Sequence, residues 1–289
     1  MPELPEVETI RRDLEKKIST KKIKDIKILA TKSVHNKSAE FLKVLVGNNF
    51  SHIERRGKLL MFALDKSGKY GYMLVHLKMT GQLIYRNKDR VLAGGHSQTA
   101  MNTNVPNKFT RVIFNFSDGG QLFFNDLRRF GYIKLVSTKE KEKIVKNNFG
   151  IEPLTSDYIF EDFAKLFQKR QTNVKALLLN QKLISGIGNI YADEACFEAK
   201  ILPMRKASDL SQAELKKLFE MVAQVLKVSI ENRGTTFNNY VDSDGRTGSH
   251  INFLKVYGRD GEKCKKCKSI ILKIKHAGRG THYCPNCQK

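Results

Sequence analysis

Apolar residues recur every three or four positions from Pro5 to Ile18, with Val7, Ile10, Leu14 and Ile18 on one stripe, and this spacing predicts an amphipathic helix over 5–18. Pro5 suits the first turn of such a helix, and Glu6 and Glu8 suit its positive end. From about Lys22 to Val136 the pattern shortens to strand-like runs: LLMFAL (59–64), YMLVHL (72–77), RVIFNF (111–116), QLFFND (121–126) and YIKLV (132–136). Turn signals at 66–68 and 117–120 separate them. Repeated short strands with glycine turns predict an antiparallel sandwich or flattened barrel. Between them, residues 87–108 hold Gly, Ser, Asn and Thr without period and read as a mobile loop.

After Gly150-Ile151-Glu152-Pro153-Leu154 the period becomes helical. Residues 159–182 and 190–199 read as helices separated by Ser185-Gly186-Ile187-Gly188-Asn189. The stretch from Ser211 to Asn232 opens with the capping box Ser211-x-x-Glu214 and is expected to bury Leu215, Leu218, Val222, Val225 and Leu226. A polar loop with glycines follows at 234–249, and a small cysteine module comes last. No internal repeat is visible.

Composition changes this picture in two ways. The 289 residues carry 52 Lys+Arg against 29 Asp+Glu, a net charge of +23, which fits attraction to polyphosphate. Charge alone leaves DNA-binding, ribosomal and membrane-surface roles open. No apolar run is long enough to cross a bilayer, and Glu3, Glu6 and Glu8 occupy the place of a signal peptide, so a cytoplasmic protein is expected. Of five cysteines, four crowd into the last 26 residues as Cys264-Lys-Lys-Cys267, sixteen residues, then Cys284-Pro-Asn-Cys287. Two such knuckles match a four-thiolate structural zinc site with no open position for catalysis. The metal would stabilise a hairpin too small to build a core. Lys265, Lys266, Lys268, Lys273, Lys275, His276 and Arg279 lie among the knuckles and suit phosphate contact. The fifth, Cys196, reads as a buried small hydrophobe.

Candidate chemistry stands at the N-terminus and in a glycine turn further along the chain. Proline is small enough for the initiator Met to be trimmed, which would leave Pro2 as a secondary amine. An α-amino group titrates at about 7.7–8.0, so a useful fraction is neutral and able to form a Schiff base with an aldehyde-like carbon. Glu3 places a proton donor or acceptor beside it. In the Ser185–Tyr191 segment, glycines before a helix offer backbone amides to an anion and Asn189 adds a side-chain donor, although a plain tight turn would look the same.

The segments MPELPEVE, RRGKLL (55–60), HLKMTG (76–81), NDLRRFG (125–131), GIGNIYADE (186–194), SDG (243–245) and HAGRGTHYCPNCQ (276–288) occur in that order. Together they closely resemble bacterial formamidopyrimidine-DNA glycosylase, over nearly the whole chain. The resemblance implies a bifunctional enzyme that flips out and excises oxidised purines such as 8-oxoguanine from double-stranded DNA, then cleaves the abasic strand by β,δ-elimination. It implies an α+β multidomain fold: an N-terminal antiparallel β-sandwich with flanking helices (1–137), a linker (138–158), a helix–two-turn–helix domain with a lesion loop (159–250), and a four-cysteine zinc-finger β-hairpin (251–289). The expected protein is a monomer, nucleoid-associated, free of membrane and holding one structural Zn2+.

Carried over by position, Pro2 is the Schiff-base nucleophile at the anomeric carbon and Glu3 the acid that protonates the sugar ring oxygen. Glu6 is a supporting carboxylate. Lys58 assists β-elimination, and Arg279 grips phosphate for δ-elimination. Met79, Arg128 and Phe130 match a trio that fills the stack vacated by an extruded base; apolar wedges face neighbouring bases, and Arg128 reaches the orphaned partner. Lys175 and Asn189 match phosphate ligands, and Glu194 carries no assigned role. Cys264, Cys267, Cys284 and Cys287 hold the zinc. The loop 235–248 resembles the segment that closes over the lesion.

Two departures stand out. Where the family often has Lys-His-Asp-His-Val, this chain has Lys108-Phe109-Thr110-Arg111-Val112, so a phosphate-binding histidine is replaced by Phe109. The preceding loop, 87–106, is also longer than usual. Two rival readings remain. An endonuclease VIII-type glycosylase for oxidised pyrimidines typically begins Pro-Glu-Gly-Pro, and Leu4 argues against it. A catalytically silent zinc-containing DNA-binding protein leaves Pro2, Glu3 and Lys58 unexplained.

Overall fold

The computed structural model of the chain describes residues 1–87, 90–95, 105–235, 253–276 and 278–289. It divides into two compact units, Met1–Val145 with Asn232–Ser249, and Lys146–Glu231 with His250–Lys289.

The first unit opens with helix α1 (Leu4–Ile18), whose stripe of Val7, Ile10, Leu14 and Ile18 is buried as the periodicity requires. Among the described residues nine strands follow, with helix α2 (Ser38–Leu45) after the first: β1 (Ile23–Ile28), β2 (Phe50–Arg56), β3 (Leu59–Leu64), β4 (Tyr72–His76), β5 (Gly81–Asn87), β6 (Arg90–Gly95), β7 (Thr110–Phe116), β8 (Gln121–Asp126) and β9 (Tyr132–Val136). They form two antiparallel sheets, one in the order β1-β7-β8-β5-β6 and one in the order β2-β3-β4-β9. One apolar core joins α1, α2 and both sheets through residues such as Phe41, Phe62, Val75, Phe114 and Phe124. Every side chain of β3 is buried, which accounts for its unbroken run of apolar residues.

Three expectations for this unit change. Residues 90–95, read as part of a loop, form β6, which pairs with β5 from Asn87↔Arg90 to Gln82↔Gly95. The glycines that hid this strand have a packing reason. A Cβ on Gly94 would lie 2.4 Å from Ile10 Cγ1, so α1 crosses the strand there only because the side chain is missing. Strands β1 and β2 and helix α2 were also absent from the apolar pattern, because lysines and single polar residues interrupt their alternation. Helix α3 (Thr138–Asn148), which buries no residue, fills the first part of the segment read as a linker. The remainder of the 87–106 loop, at 88–89 and 96–104, and most of the 235–248 loop lie outside the described residues.

The second unit holds α4 (Phe160–Phe167), α5 (Val174–Leu179), α6 (Asn189–Ala199), α7 (Gln212–Glu231) and the hairpin β10 (Leu272–His276) and β11 (Arg279–Tyr283). The helix expected over 159–182 is two helices. Asn173 caps the second by accepting the Ala176 N–H at 2.7 Å, so the chain turns where the apolar period runs on. The capping box of α7 forms as expected: Ser211 N–H donates to Glu214 Oε2 (2.8 Å) and Glu214 N–H to Ser211 Oγ (3.2 Å). Leu215, Leu218, Val222 and Leu226 are buried, while Val225 is half-buried and Ser229 takes a buried place instead.

Candidate active site and nucleic-acid interface

The start of α1 builds the first half of the site. Pro2, Glu3 and Glu6 are buried, and Glu6 accepts the Glu3 N–H at 2.8 Å, which fixes the backbone that carries Pro2. The other oxygen of Glu6 accepts the N–H (2.9 Å) and hydroxyl (3.1 Å) of Thr235. Gly234, at φ +81°, makes room, since a Cβ there would meet Glu6 Oε1 at 2.7 Å. Lys58 is buried at the turn between β2 and β3. Burial holds the Met1 amine below its ordinary value of 8.0; Glu3 and Glu6 oppose this and Lys58 adds to it. The amine therefore feels both carboxylates and Lys58.

Sequence reasoning missed two features near Lys58, and the first supports its turn. Glu8 accepts from Arg11, Arg12 and Arg55, and Arg55 also donates to the Gly57 carbonyl at 3.1 Å, one residue before Lys58. The three guanidinium groups outweigh the desolvation of Glu8 and hold its pKa down to about 2. Burial first, then Lys78 and Lys58, push His76 down to about 3, so its imidazole is neutral. Its Nδ1 accepts the Lys78 N–H at 3.0 Å.

Met79, Arg128 and Phe130 come together on the surface of the same unit. Met79 and Phe130 are 37% and 53% exposed, which decides against core positions for both. Arg128 Nη1 donates to Met79 Sδ at 3.1 Å, and its guanidinium lies 4.8 Å from the Phe130 ring centre. Phe109 is half-buried with Lys108 Nζ 5.3 Å from its ring centre, while Arg111 turns inward and donates twice to the Asp126 carbonyl at 2.9 and 2.7 Å.

In the second unit Arg279 is exposed at the start of β11. Lys175, expected at a phosphate, is instead fully buried. Its ammonium pairs with Asp193 at 2.6 Å and donates to Gly280 O and Thr281 Oγ1, each at 2.9 Å. Such a charge is tolerable inside only because its donors are satisfied. Asn189 Nδ2 donates to the same Gly280 carbonyl at 3.0 Å. Both residues thus grip the hairpin one position beyond Arg279. Asp193, which sequence reasoning missed, also accepts the His282 N–H at 2.9 Å. Glu194 accepts the backbone N–H groups of Lys255, Val256 and Tyr257, each at 2.9 Å, while burial raises its pKa. In the glycine turn, the Gly186 N–H is taken by Gln181 Oε1 at 2.9 Å.

The four sulfurs of Cys264, Cys267, Cys284 and Cys287 lie within 4.8 Å of one another, with Cys267–Cys284 at 3.4 Å and Cys264–Cys287 at 3.9 Å. Tetrahedral Zn–S bonds of about 2.3 Å place sulfurs roughly 3.8 Å apart, so the donor set fits one structural zinc ion. Phe197, Val256 and Ile271 pack on the buried sulfurs of Cys264 and Cys284 and complete a core that the hairpin cannot form by itself.

Residues 1–133 match the model for the formamidopyrimidine-DNA glycosylase N-terminal domain, 149–240 that for its H2TH domain, and 261–289 that for the zinc finger found in FPG and IleRS. The formamidopyrimidine-DNA glycosylase of Pelotomaculum thermopropionicum is 41% identical over 293 residues, covering 100% of this chain and 99% of that protein. The chain belongs to the formamidopyrimidine-DNA glycosylase family. A second family member, from Listeria innocua, is 40% identical with both chains fully covered. A mutant of the Lactococcus lactis glycosylase, solved with a Fapy-dG containing DNA, superposes with a TM-score of 0.86 at 35% identity, covering 100% of both chains. The same bacterium's glycosylase, non-covalently bound to AP site containing DNA, gives 0.84 at 34% and 99% of each. Among the described residues no helix is long and apolar enough to cross a membrane.

Proposed function

We propose that the protein excises oxidised purines from duplex DNA through a Schiff base at Pro2 and then cleaves the abasic strand. The observation that carries this reading is the buried start of α1, where Pro2, Glu3 and Glu6 lie together and Glu6 accepts the Glu3 N–H at 2.8 Å. Removal of Met1 would place the Pro2 amine in this setting, because the cap made by Glu6 fixes the backbone at Glu3.

The amine attacks the anomeric carbon, the bond from that carbon to the base breaks, and the base leaves with a proton. Glu3 protonates the ring oxygen as the sugar opens to the iminium. Loss of a proton from C2′, to Lys58 in this reading, expels the 3′ oxygen, and a second elimination expels the 5′ oxygen with Arg279 at the phosphate. Met79, Arg128 and Phe130 occupy the vacated stack, an arrangement supported by their exposure and mutual contact. Lys175 and Asn189 act by holding the hairpin that carries Arg279.

Borohydride added to the protein and an 8-oxoguanine duplex should reduce the iminium and leave a covalent adduct at the N-terminal residue. Pro2→Gly should form far less of it. No adduct, or a stronger one with thymine glycol, would overturn the reading.

A further inference from the structure

The exposed trio rests on a buried carboxylate that the proposed chemistry does not use. Asp126 ends β8 with no exposed surface. Its Oδ1 accepts the Thr80 hydroxyl and, at 3.2 Å, the Arg128 N–H. Its Oδ2 accepts the Gly131 N–H at 2.7 Å. Thr80 Oγ1 in turn accepts the Arg128 N–H at 2.9 Å. One side chain therefore pins two separate turns, the one carrying Met79 and the one carrying Arg128 and Phe130.

The main chain at Asp126 is itself held on both sides. Its N–H donates to the Phe109 carbonyl at 2.9 Å, and its carbonyl accepts the two bonds from Arg111 already described. Both turns need such a hold. Lys78 (φ +50°) and Arg129 (φ +58°) sit in the left-handed region that side chains disfavour, and each adjoins a member of the trio. Gly131 cannot be replaced cheaply either, because a Cβ there would meet Phe124 Cζ at 2.9 Å and Asp126 Oδ2 at 3.0 Å.

We propose that Asp126, acting with Thr80, is a positioning residue that sets Met79, Arg128 and Phe130 in register with one another for filling the stack. Asp126 touches neither base nor sugar in this scheme; it acts through the three residues it places. The inference rests on the proposed glycosylase function. An ionised carboxylate only accepts, which matches the donors around it. An amide in its place would set an N–H against either the Arg128 N–H or the Gly131 N–H.

The consequence separates two substrates. An extruded base leaves a void in a duplex, whereas an abasic site in a single strand has no stack to refill. Thr80→Ser, Thr80→Val and Asp126→Asn would be compared in single-turnover excision of 8-oxoguanine from a duplex and in cleavage of a single-stranded abasic oligonucleotide. Thr80→Val and Asp126→Asn should slow duplex excision by roughly tenfold to a hundredfold, the scale of a misplacement of about 1 Å. Both should keep single-strand cleavage, and Thr80→Ser should restore duplex excision. The single-strand reaction also reports folding, and Thr80→Val carries the test if Asp126→Asn does not fold. Parallel loss on both substrates, or a Thr80→Val that behaves as Thr80→Ser, overturns the inference. An unsubstituted protein inactive on both substrates overturns the functional reading, and this inference with it.

Discussion

Glu8 shows how one residue's titration becomes a property of the fold. Its carboxylate lies among three arginines, and its pKa falls from the ordinary 4.5 to about 2. A depressed acid stabilises the folded state at full strength above its unfolded value and loses that contribution as pH falls toward its folded value. Glu8→Gln should therefore lower the unfolding temperature at pH 7 and flatten its decline between pH 4.5 and 2, as read by circular dichroism. Equal slopes for the two proteins would contradict this. Residues of this kind were not legible in the sequence. Pro2, Glu3 and Lys58 stand in recognisable motifs, but Thr80 meets Asp126 across 46 positions and Arg55 meets Glu8 across 47. A buried carboxylate gains its role from the donors around it, and local spacing says nothing about them.

Among the elements, β6 is the instructive case. Its Gly94 is a strand residue whose absent side chain admits Ile10 of α1. Gly94→Ala should destabilise the first unit by about 1–3 kcal/mol, the usual cost of overpacking, in urea unfolding. Ile10→Ala combined with it should cost less than the sum of the two single changes, because each relieves the other's contact. Strictly additive losses would show that the contact does not couple. Elements written in apolar runs, such as β3 and β8, were legible, as was α1 from its stripe. Those that failed had a physical reason: β6 uses glycine for proximity, and the division between α4 and α5 depends on the side-chain cap at Asn173 rather than on a gap in hydrophobicity.

Across the whole chain, the charge of +23 and the cysteine knuckles announced a polyanion-binding protein with a metal-stabilised module before any fold was assigned. Lys175 and Asn189 were both expected at phosphate; Lys175 is instead fully buried under the hairpin, which charge counting cannot reveal, while Asn189 is half-buried and donates to the Gly280 carbonyl. The remaining thiol has a practical use. Cys196 is fully buried in α6, and burial pushes its pKa up, so it stays protonated and unreactive while its unit is folded. The five thiols thus form a built-in gauge of integrity. A thiol-specific dye should take up almost nothing while zinc is held and four equivalents once a chelator removes it. The fifth should follow only when helix α6 itself unfolds, so one colour change reports metal loss and unfolding as separate steps.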